Sequence, residues 1–456
     1  MKLRVVAAVH AARMATFVSR RLLGRGGTAL PGLVAERVAP GALAGLGGQL
    51  ERTVLVTGTN GKTTTARILA AILAADGKAV VANREGSNLT RGMVSALVAE
   101  AGWRGRIAAA ETTIGVFEAD EASLPAAAAA LQPAAIVFTN LFRDQLDRYG
   151  EVDTVAGFWR RAIAMVPDDC VLILNADDPS VAELATVRDL PVRWFGIDDL
   201  RNGGERGAFD ARWCGACGTD FSYDHRFFGH IGHWRCPGCG RERPTPGTSA
   251  LRVNDGEDGL SVEVHGLGIV ETGLRGQYNA WNTLAAIAAG EVLGASAAAL
   301  RKGPATIGPV FGRQESFAIG SKTLRLYLVK NPAGANQVVQ LLGRTDESDG
   351  FAFFLNDRFA DGQDVSWTWD VDFELLAGRG GRVWAGGDRG ADAALRLHYA
   401  GLGVEPVLPP QPAEALRTLL EAMDEGLTLH AIVTYTALLE LRRELARQGL
   451  AKSTLD

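Results

Sequence analysis

Short apolar runs alternate with longer amphipathic stretches through most of this chain. RTVLVTGTNGKTTTARILAAILAADG reads as strand, loop and helix: Val54–Val56 form the apolar strand, and the helix runs to Asp76-Gly77, where glycine makes a natural stop. Further apolar strands follow at KAVVAN, AAIVFTN and CVLILNADD, with helical stretches between them. That alternation predicts a mainly parallel, doubly wound α/β sheet. The regularity breaks from about Asp198 to Thr248, where Gly, Arg, Cys and aromatics dominate, and resumes with strand-like LSVEVHGLG and helical YNAWNTLAAIAAGEVLG. A boundary is expected near 310–330, around GPVFGRQE. Beyond it GFAFFLND, RVWAGGD and AIVTYTALLELRRELARQG predict a second α/β domain. The expected organisation is a helical segment over 1–50, a central domain over 51–320 interrupted at about 205–247, and a C-terminal domain over 321–456.

The opening stretch, MKLRVVAAVHAARMATFVSRRLLGRGG, resembles a signal peptide only superficially. Its apolar run Val5–Val9 is short, and His10, Arg13, Arg20 and Arg21 break up the residues beyond it. An amphipathic helix ending at the Gly24–Gly27 cluster is predicted, packed on its own domain or resting on an anionic membrane surface, the former being the simpler expectation. No run is long enough to span a bilayer, so a cytoplasmic protein is expected.

Composition changes this picture little. With 456 residues, two or three domains are expected, and 47% hydrophobic with 22% charged residues suits a chain that builds real cores. A net charge of −5 argues against a large nucleic-acid footprint. Of five cysteines, Cys170 opens an apolar run and reads as a buried strand residue rather than a nucleophile. The others, Cys214, Cys217, Cys236 and Cys239, form C-x2-C-x18-C-x2-C, a spacing that predicts zinc. Four thiolates fill a tetrahedron and leave no position for a catalytic water, so the site reads as structural. Arginines and aromatics interleave around these knuckles, as on single-stranded nucleic-acid surfaces, although a small ribbon also needs aromatics merely to pack.

GTNGKTT carries the chemistry. Gly58, Thr59, Asn60, Gly61, Lys62, Thr63 and Thr64 lie between a strand and a helix, where backbone N–H groups can face a polyphosphate. Lys62 can neutralise phosphate oxygens, and the Thr63 hydroxyl can bind Mg2+. Val56 stands where the usual GxxxxGK[ST] has its first glycine. In FEADEASL, Glu118 is the candidate Mg2+ carboxylate, directly or at one remove, with a solvated acidic loop as the plainer alternative.

GTNGKTT resembles the phosphate loop of the Mur ligases and of the related folylpolyglutamate synthetases. TNLFRDQLDRYG (139–150), NADDP (175–179), GQYNAWNTLAA (276–286) and FGRQE (311–315) resemble further motifs of that family in the same order. The resemblance implies a Mur-ligase-type P-loop central domain carrying an inserted four-cysteine zinc ribbon, followed by a Rossmann-like α/β domain. It also implies ATP with Mg2+, transfer of the γ-phosphoryl group to a carboxylate, and attack of an amine on the acyl phosphate. Lys62 would act on the transferring group, Asn279 and Asn282 near the nucleotide base, and Arg313 near its phosphates or a hinge.

Three departures narrow the resemblance. Only about 50 residues precede the phosphate loop, too few for a domain that holds a uridine nucleotide. Gln145 replaces the histidine of the family's DHLD, which puts a second metal in doubt. LVKNPAGANQ and NDRFADGQDVSWTWDVDFE replace the usual DYAHxP segment. Together these features resemble the Mur-ligase-like subunits of lipid II isoglutaminyl synthases. That family amidates the α-carboxylate of D-glutamate in lipid II, at the inner face of the membrane, with ammonia from a class I glutaminase subunit (GatD-like) in a heterodimer. In the family, the C-terminal domain is thought to lend an aspartate to the glutaminase's Cys–His pair. Asp364 is the first candidate and Asp370 the second, with Asp357 and Asp361 open and turn capping the plainer role for any of them. Trp367 and Trp369 alternate as in a strand. The rival readings are a ligase that adds an amino acid, and a P-loop NTPase that binds nucleic acid through the ribbon.

Overall fold

The computed structural model describes residues 2–23, 30–83, 87–143, 152–201, 203, 210–256, 258–308 and 313–451. These residues form two compact units: one holds 2–142, 152–203 and 211–308, and the other holds Arg143, Asp210 and 313–451.

A nine-stranded sheet organises the first unit. Seven neighbouring strands are parallel, in the order Ala79–Ala82, Thr113–Glu118, Arg52–Thr57, Ala135–Phe138, Val171–Asn175, Val192–Ile197 and Thr248–Gly256. Gly259–Val264 and Gly268–Thr272 extend it as antiparallel strands. The central strands are apolar and buried almost throughout, as strands covered on both faces must be. Helix Tyr278–Val292 is buried from Asn279 to Gly290. Its alanines at 280, 285, 286, 288 and 289 let it lie close against helix Lys62–Ala75.

Three helices, Lys2–Leu23, Leu30–Val38 and Ala42–Gly47, precede the first strand and belong to this unit. The irregular stretch after Ile197 contains an antiparallel hairpin, Ser222–Phe228 with Ile231–Arg235.

The second unit has a five-stranded sheet in the order Arg313–Ile319, Lys322–Leu328, Thr428–Val433, Gly350–Phe354, Val383–Gly386, parallel except for its first pair. Helices Pro332–Leu342 and Gly390–Tyr399 pack toward one core, around Phe351, Phe353 and Phe373. Pro412–Ala422 and Tyr435–Arg447 pack toward a second, around Phe354, Trp384 and Leu438. Trp367 and Trp369 do not alternate along a strand: they lie on one 3-10 turn, Ser366–Asp370. Trp367 packs against the first core, whereas Trp369 is half exposed and meets Tyr399 at 5.7 Å. Polar residues closely interleaved with tryptophans satisfy a short helical turn as readily as a strand, so period alone does not distinguish the two.

Candidate functional site

Strand Arg52–Thr57 delivers the chain into the turn Gly58–Gly61, and helix Lys62–Ala75 starts immediately after it. Gly58 has φ 137° and Gly61 φ 87°, where a side chain would be strained. Space forbids one as well: a Cβ on Gly58 would stand 2.0 Å from Thr139 Oγ1, and one on Gly61 2.0 Å from Asn282 Oδ1. The end of strand Ala135–Phe138 braces this turn. Thr139 Oγ1 donates to the Asn60 carbonyl at 2.7 Å, and Asn140 Oδ1 accepts from the Asn60 N–H at 2.9 Å. The Asn140 carbonyl accepts from the Thr59 N–H at 2.9 Å, and Thr59 Oγ1 accepts from the Phe142 N–H at 2.9 Å. Thr59 and Asn60 therefore use their N–H groups to hold the turn, and Gly61 through Thr64 open the helix N-terminus.

Lys62 is buried. Its ammonium donates to the carbonyls of Gly58 and Thr59 and pairs with Glu121 Oε1 at 2.7 Å. Thr63 Oγ1 donates to Glu118 Oε2 at 2.7 Å. Glu118 ends the strand beside the phosphate-loop strand, and Asn83 clamps its backbone, accepting from its N–H at 2.8 Å and donating to its carbonyl at 2.9 Å. Glu118 at the strand end and Asp120 and Glu121 just after it are all buried, so a divalent cation beside Thr63 and Glu118 would offset concentrated negative charge. The turn, the helix start and this hydroxyl–carboxylate pair fit a nucleotide with its metal ion.

Asn282 and Asn279 come to the same place. Asn282 Oδ1 lies over Gly61 and accepts from Thr65 Oγ1 at 3.4 Å. Its amide donates to Asn279 Oδ1 at 2.9 Å, and Asn279 in turn donates to the Arg275 carbonyl at 2.8 Å. Arg313 opens the first strand of the second unit, and its side chain lies outside the described residues, as does Gln145. Thr139, Asn140 and Asn83 carry roles that sequence reasoning does not assign. Their signal, polar residues directly after apolar strands, is legible only once neighbouring strands are known.

The NADDP turn supplies a second polar centre. Asp177 is fully buried and accepts from Arg243 Nε at 2.5 Å, Trp281 Nε1 at 2.7 Å and the Ile197 N–H at 2.8 Å. Burial pushes its carboxyl pKa up, and these three donors act against that rise. Asp178 caps the helical turn Pro179–Ala182 and accepts from the Leu141 N–H at 2.8 Å. Arg243→Met leaves the Asp177 charge without its cation and is expected to cost about 3–5 kcal/mol. Denaturant unfolding checks this, and Asp177→Asn in the same chain should recover part of the loss.

Arg243 comes from the cysteine insert, which is tied to the sheet. The sulfur atoms of Cys214, Cys217, Cys236 and Cys239 lie within 4.8 Å of one another. Cys214 and Cys239 approach to 3.6 Å, and Cys217 and Cys236 to 3.4 Å. Those separations are close to the ~3.8 Å edge of a thiolate tetrahedron around zinc, so the four residues suit a metal ion. Three of the insert's aromatics turn inward, whereas Trp213 is exposed: Trp234 Nε1 donates to the Ala176 carbonyl at 2.9 Å, Phe227 and Phe228 meet Trp281 edge-on, and Phe228 stacks on Phe142. Several insert arginines face carboxylates, Arg212 with Asp220, Arg235 with Asp224, and Arg243 with Asp177 and Asp198.

In the second unit Asp364 is exposed and accepts from the Ser366 N–H at 2.8 Å at the start of the 3-10 turn. Those bonds from Ser366 hold its carboxyl below the usual range, so it remains an anion. Asp370 pairs with Arg143 at 3.2 Å, and Asp357 with Arg389 at 2.9 Å. Asp361 is buried and bound by the Thr436 N–H at 2.7 Å. Asn336, from KNPAGANQ, fastens this loop by donating to the Asp370 carbonyl and accepting from the Asp372 N–H.

Two family descriptions match the chain: "Mur ligase middle domain" over residues 56–208 and "MurT ligase C-terminal" over residues 328–438. The chain is 34% identical to subunit MurT of the glutamine-hydrolysing lipid II isoglutaminyl synthase of Streptococcus pneumoniae, over 100% of both chains. It belongs to the MurT family. The Staphylococcus aureus MurT subunit is 32% identical over 96% of this chain and 97% of its own. Among solved structures, a pseudomurein peptide ligase type C from Methanothermus fervidus superposes with a TM-score of 0.68 at 22% identity, covering 87% of this chain and 79% of that one, which establishes the Mur ligase fold. A MurT-family chain is thus a Mur-type ligase, and the Mur ligase family uses ATP and Mg2+.

Proposed function

We propose that this chain is the synthetase subunit of a glutamine-hydrolysing amidotransferase, amidating the α-carboxylate of D-glutamate in the lipid II stem peptide to D-isoglutamine. The observation that carries this reading is the convergence of Lys62, Thr63 and Glu118 at a phosphate turn, in a chain whose C-terminal unit matches MurT ligases. Gly61, Lys62, Thr63 and Thr64 hold the polyphosphate; Gly58, Thr59 and Asn60 shape the turn beneath it; Asn282 and Asn279 hold Gly61 from the other side. Mg2+, when bound at Thr63 and Glu118, supplies charge neutralisation on the phosphate oxygens. The substrate carboxylate attacks the γ-phosphorus, the bond to the β-phosphate oxygen breaks and ADP leaves. Ammonia then attacks the acyl carbon, loses a proton and displaces inorganic phosphate. Lys62, whose ammonium pairs with Glu121 in the protein alone, stabilises the charge on the transferring group.

The nitrogen comes from a class I glutaminase partner of the GatD type. Glutamine hydrolysis needs a thiolate, and Cys170 is buried with its thiol pushed up to about 12, while the other four cysteines hold zinc as a structural ribbon. Asp364, anionic and exposed, orients the partner's histidine. Trp369 and Tyr399, exposed to 51% and 68%, offer an aromatic contact beside that loop. The complex works at the inner membrane face, where its lipid-linked substrate lies. The described residues contain no helix long and apolar enough to cross a membrane.

Reconstitution with lipid II, ATP and either ammonium or glutamine plus the glutaminase tests the reading; no amidated product from either nitrogen source overturns it. Asp364→Asn should lower glutamine-driven amidation by about 10²–10⁴-fold and leave the ammonium-driven reaction intact. Loss of both would assign Asp364 to the fold or to the ligase step.

A further inference from the structure

The first helix, Lys2–Leu23, has two faces of opposite character. Val5, Ala8, Val9 and Ala12, at helical spacing, are buried against the domain. The stripe His10, Arg13, Met14, Phe17, also at i, i+3, i+4, i+7, lies on another face, with His10 and Arg13 half-buried and Met14 and Phe17 exposed. Met14 is 69% exposed and Phe17 61%, and Val18 beside them is exposed as well. Scattered exposed apolar residues need no explanation; a helical stripe of them does.

The stripe continues onto a second element. Trp103, 73% exposed, sits with its ring 5.3 Å from His10 and with the Arg13 guanidinium 5.6 Å over it, and Arg13 also donates to the Ala101 carbonyl. Arg104 and Arg106 beside Trp103 are exposed. The helix contains no acid along its 22 residues, and its sequence carries Lys2, Arg4, Arg13, Arg20 and Arg21. From Ala101 to Ala110 there is again no acid. This basic, aromatic-bearing surface belongs to a chain with a net charge of −5, so its sign is local rather than a property of the whole protein.

We propose that this surface, the outer face of the first helix together with the Trp103 loop, docks on an anionic phospholipid bilayer. A helix lying in the membrane interface needs an apolar edge of moderate size, a cationic flank and an interfacial aromatic. Met14 and Phe17 provide the edge, Arg13, Arg104 and Arg106 the flank, and Trp103 the aromatic. Its amphipathic ring suits the headgroup level, and the arginines match the sign of anionic lipid headgroups. A protein partner would call for shape and hydrogen bonding; the absence of acids across both elements fits a diffuse anionic surface better. The proposal extends the lipid-linked substrate reading by assigning the residues that bring the enzyme to the membrane, but it is argued from the surface itself.

The test is co-sedimentation of the full chain with sucrose-loaded vesicles, either phosphatidylcholine alone or phosphatidylcholine with about one third phosphatidylglycerol. Binding to the anionic vesicles should be at least about tenfold stronger and should fall at high salt. Phe17→Ser with Trp103→Ser should reduce it at least about tenfold, and Arg104→Gln and Arg106→Gln about fivefold each. Trp103→Phe should remove the blue shift of tryptophan emission on vesicle addition. These positions are exposed, so unchanged circular dichroism and melting temperature verify folding in every variant. Equal binding to both vesicle types, no binding, or wild-type binding by the Phe17/Trp103 double variant overturns the proposal. So does a dimer in the absence of lipid that the double variant dissociates, which would make this face a contact between copies or with protein. Ammonium-driven amidation of a stem-peptide analogue lacking the lipid should be unaffected by these variants; its failure in the unaltered chain counts against the proposed reaction, not against docking.

Discussion

Lys62→Met is expected to lower ATP-driven amidation by about 10²–10³-fold, the usual loss when one fixed donor to a developing anion is removed. The same change should also destabilise the first unit. Lys62 is buried and its ammonium lies 2.7 Å from Glu121, itself buried, so removing the cation takes this ion pair from a buried carboxylate. Breaking a buried pair from one side costs about 3–5 kcal/mol. The two effects separate in the double variant Lys62→Met/Glu121→Gln, which removes the carboxylate charge as well. Its melting temperature should return most of the way to that of the unaltered chain, while the rate stays low. Recovery of both would mean that Lys62 serves only to neutralise Glu121. Recovery of neither would mean that the lost stability does not come from the Glu121 charge.

That pair illustrates what a sequence exposes and what it hides. GTNGKTT announces its strand–turn–helix setting because a glycine turn between an apolar run and a helix has few alternatives, and the parallel order of the central sheet follows from strand–helix alternation. Glu121 stands in plain view in FEADEASL, but nothing in a linear string couples it to Lys62, 59 positions earlier. The coupling arises because strand Thr113–Glu118 neighbours strand Arg52–Thr57, a register that single-sequence pattern does not specify. Thr139 and Asn140 escape assignment for the same reason. The four cysteines are legible because metal-ligand spacing is local, yet the insert's anchoring to Asp177 and Trp281 is not, since those contacts span 66 positions in one case and 54 or fewer in the other. The tryptophans at 367 and 369 show the opposite limit: a five-residue turn is too short for periodicity to distinguish a strand from a 3-10 helix.

Withdrawal of the zinc proposed at Cys214, Cys217, Cys236 and Cys239 is expected to weaken ATP binding as well as stability, although no cysteine lies in the phosphate turn. The insert's own sheet is a single two-stranded hairpin, and an isolated hairpin is marginal in water. Structural zinc contributes about 10–16 kcal/mol of apparent folding free energy in small metal-dependent peptides, so loss of the ion should release the hairpin. Released with it are Phe227 and Phe228, which cover Trp281, and Arg243, which pairs with Asp177. Trp281 donates to that same aspartate, and the next residue, Asn282, lies directly over Gly61. The phosphate turn would then lose the helix that holds it from one side. A coupling of about 1–3 kcal/mol, typical between linked sites, corresponds to about 5–150-fold in nucleotide affinity. Chelation followed by metal analysis, thermal melting and calorimetric titration with ATP checks the expectation. Trp281→Ala should reproduce the loss of affinity while the chain still carries its metal, because it cuts the path between ribbon and turn. Unchanged ATP affinity after complete metal loss would confine the ribbon to holding its own hairpin.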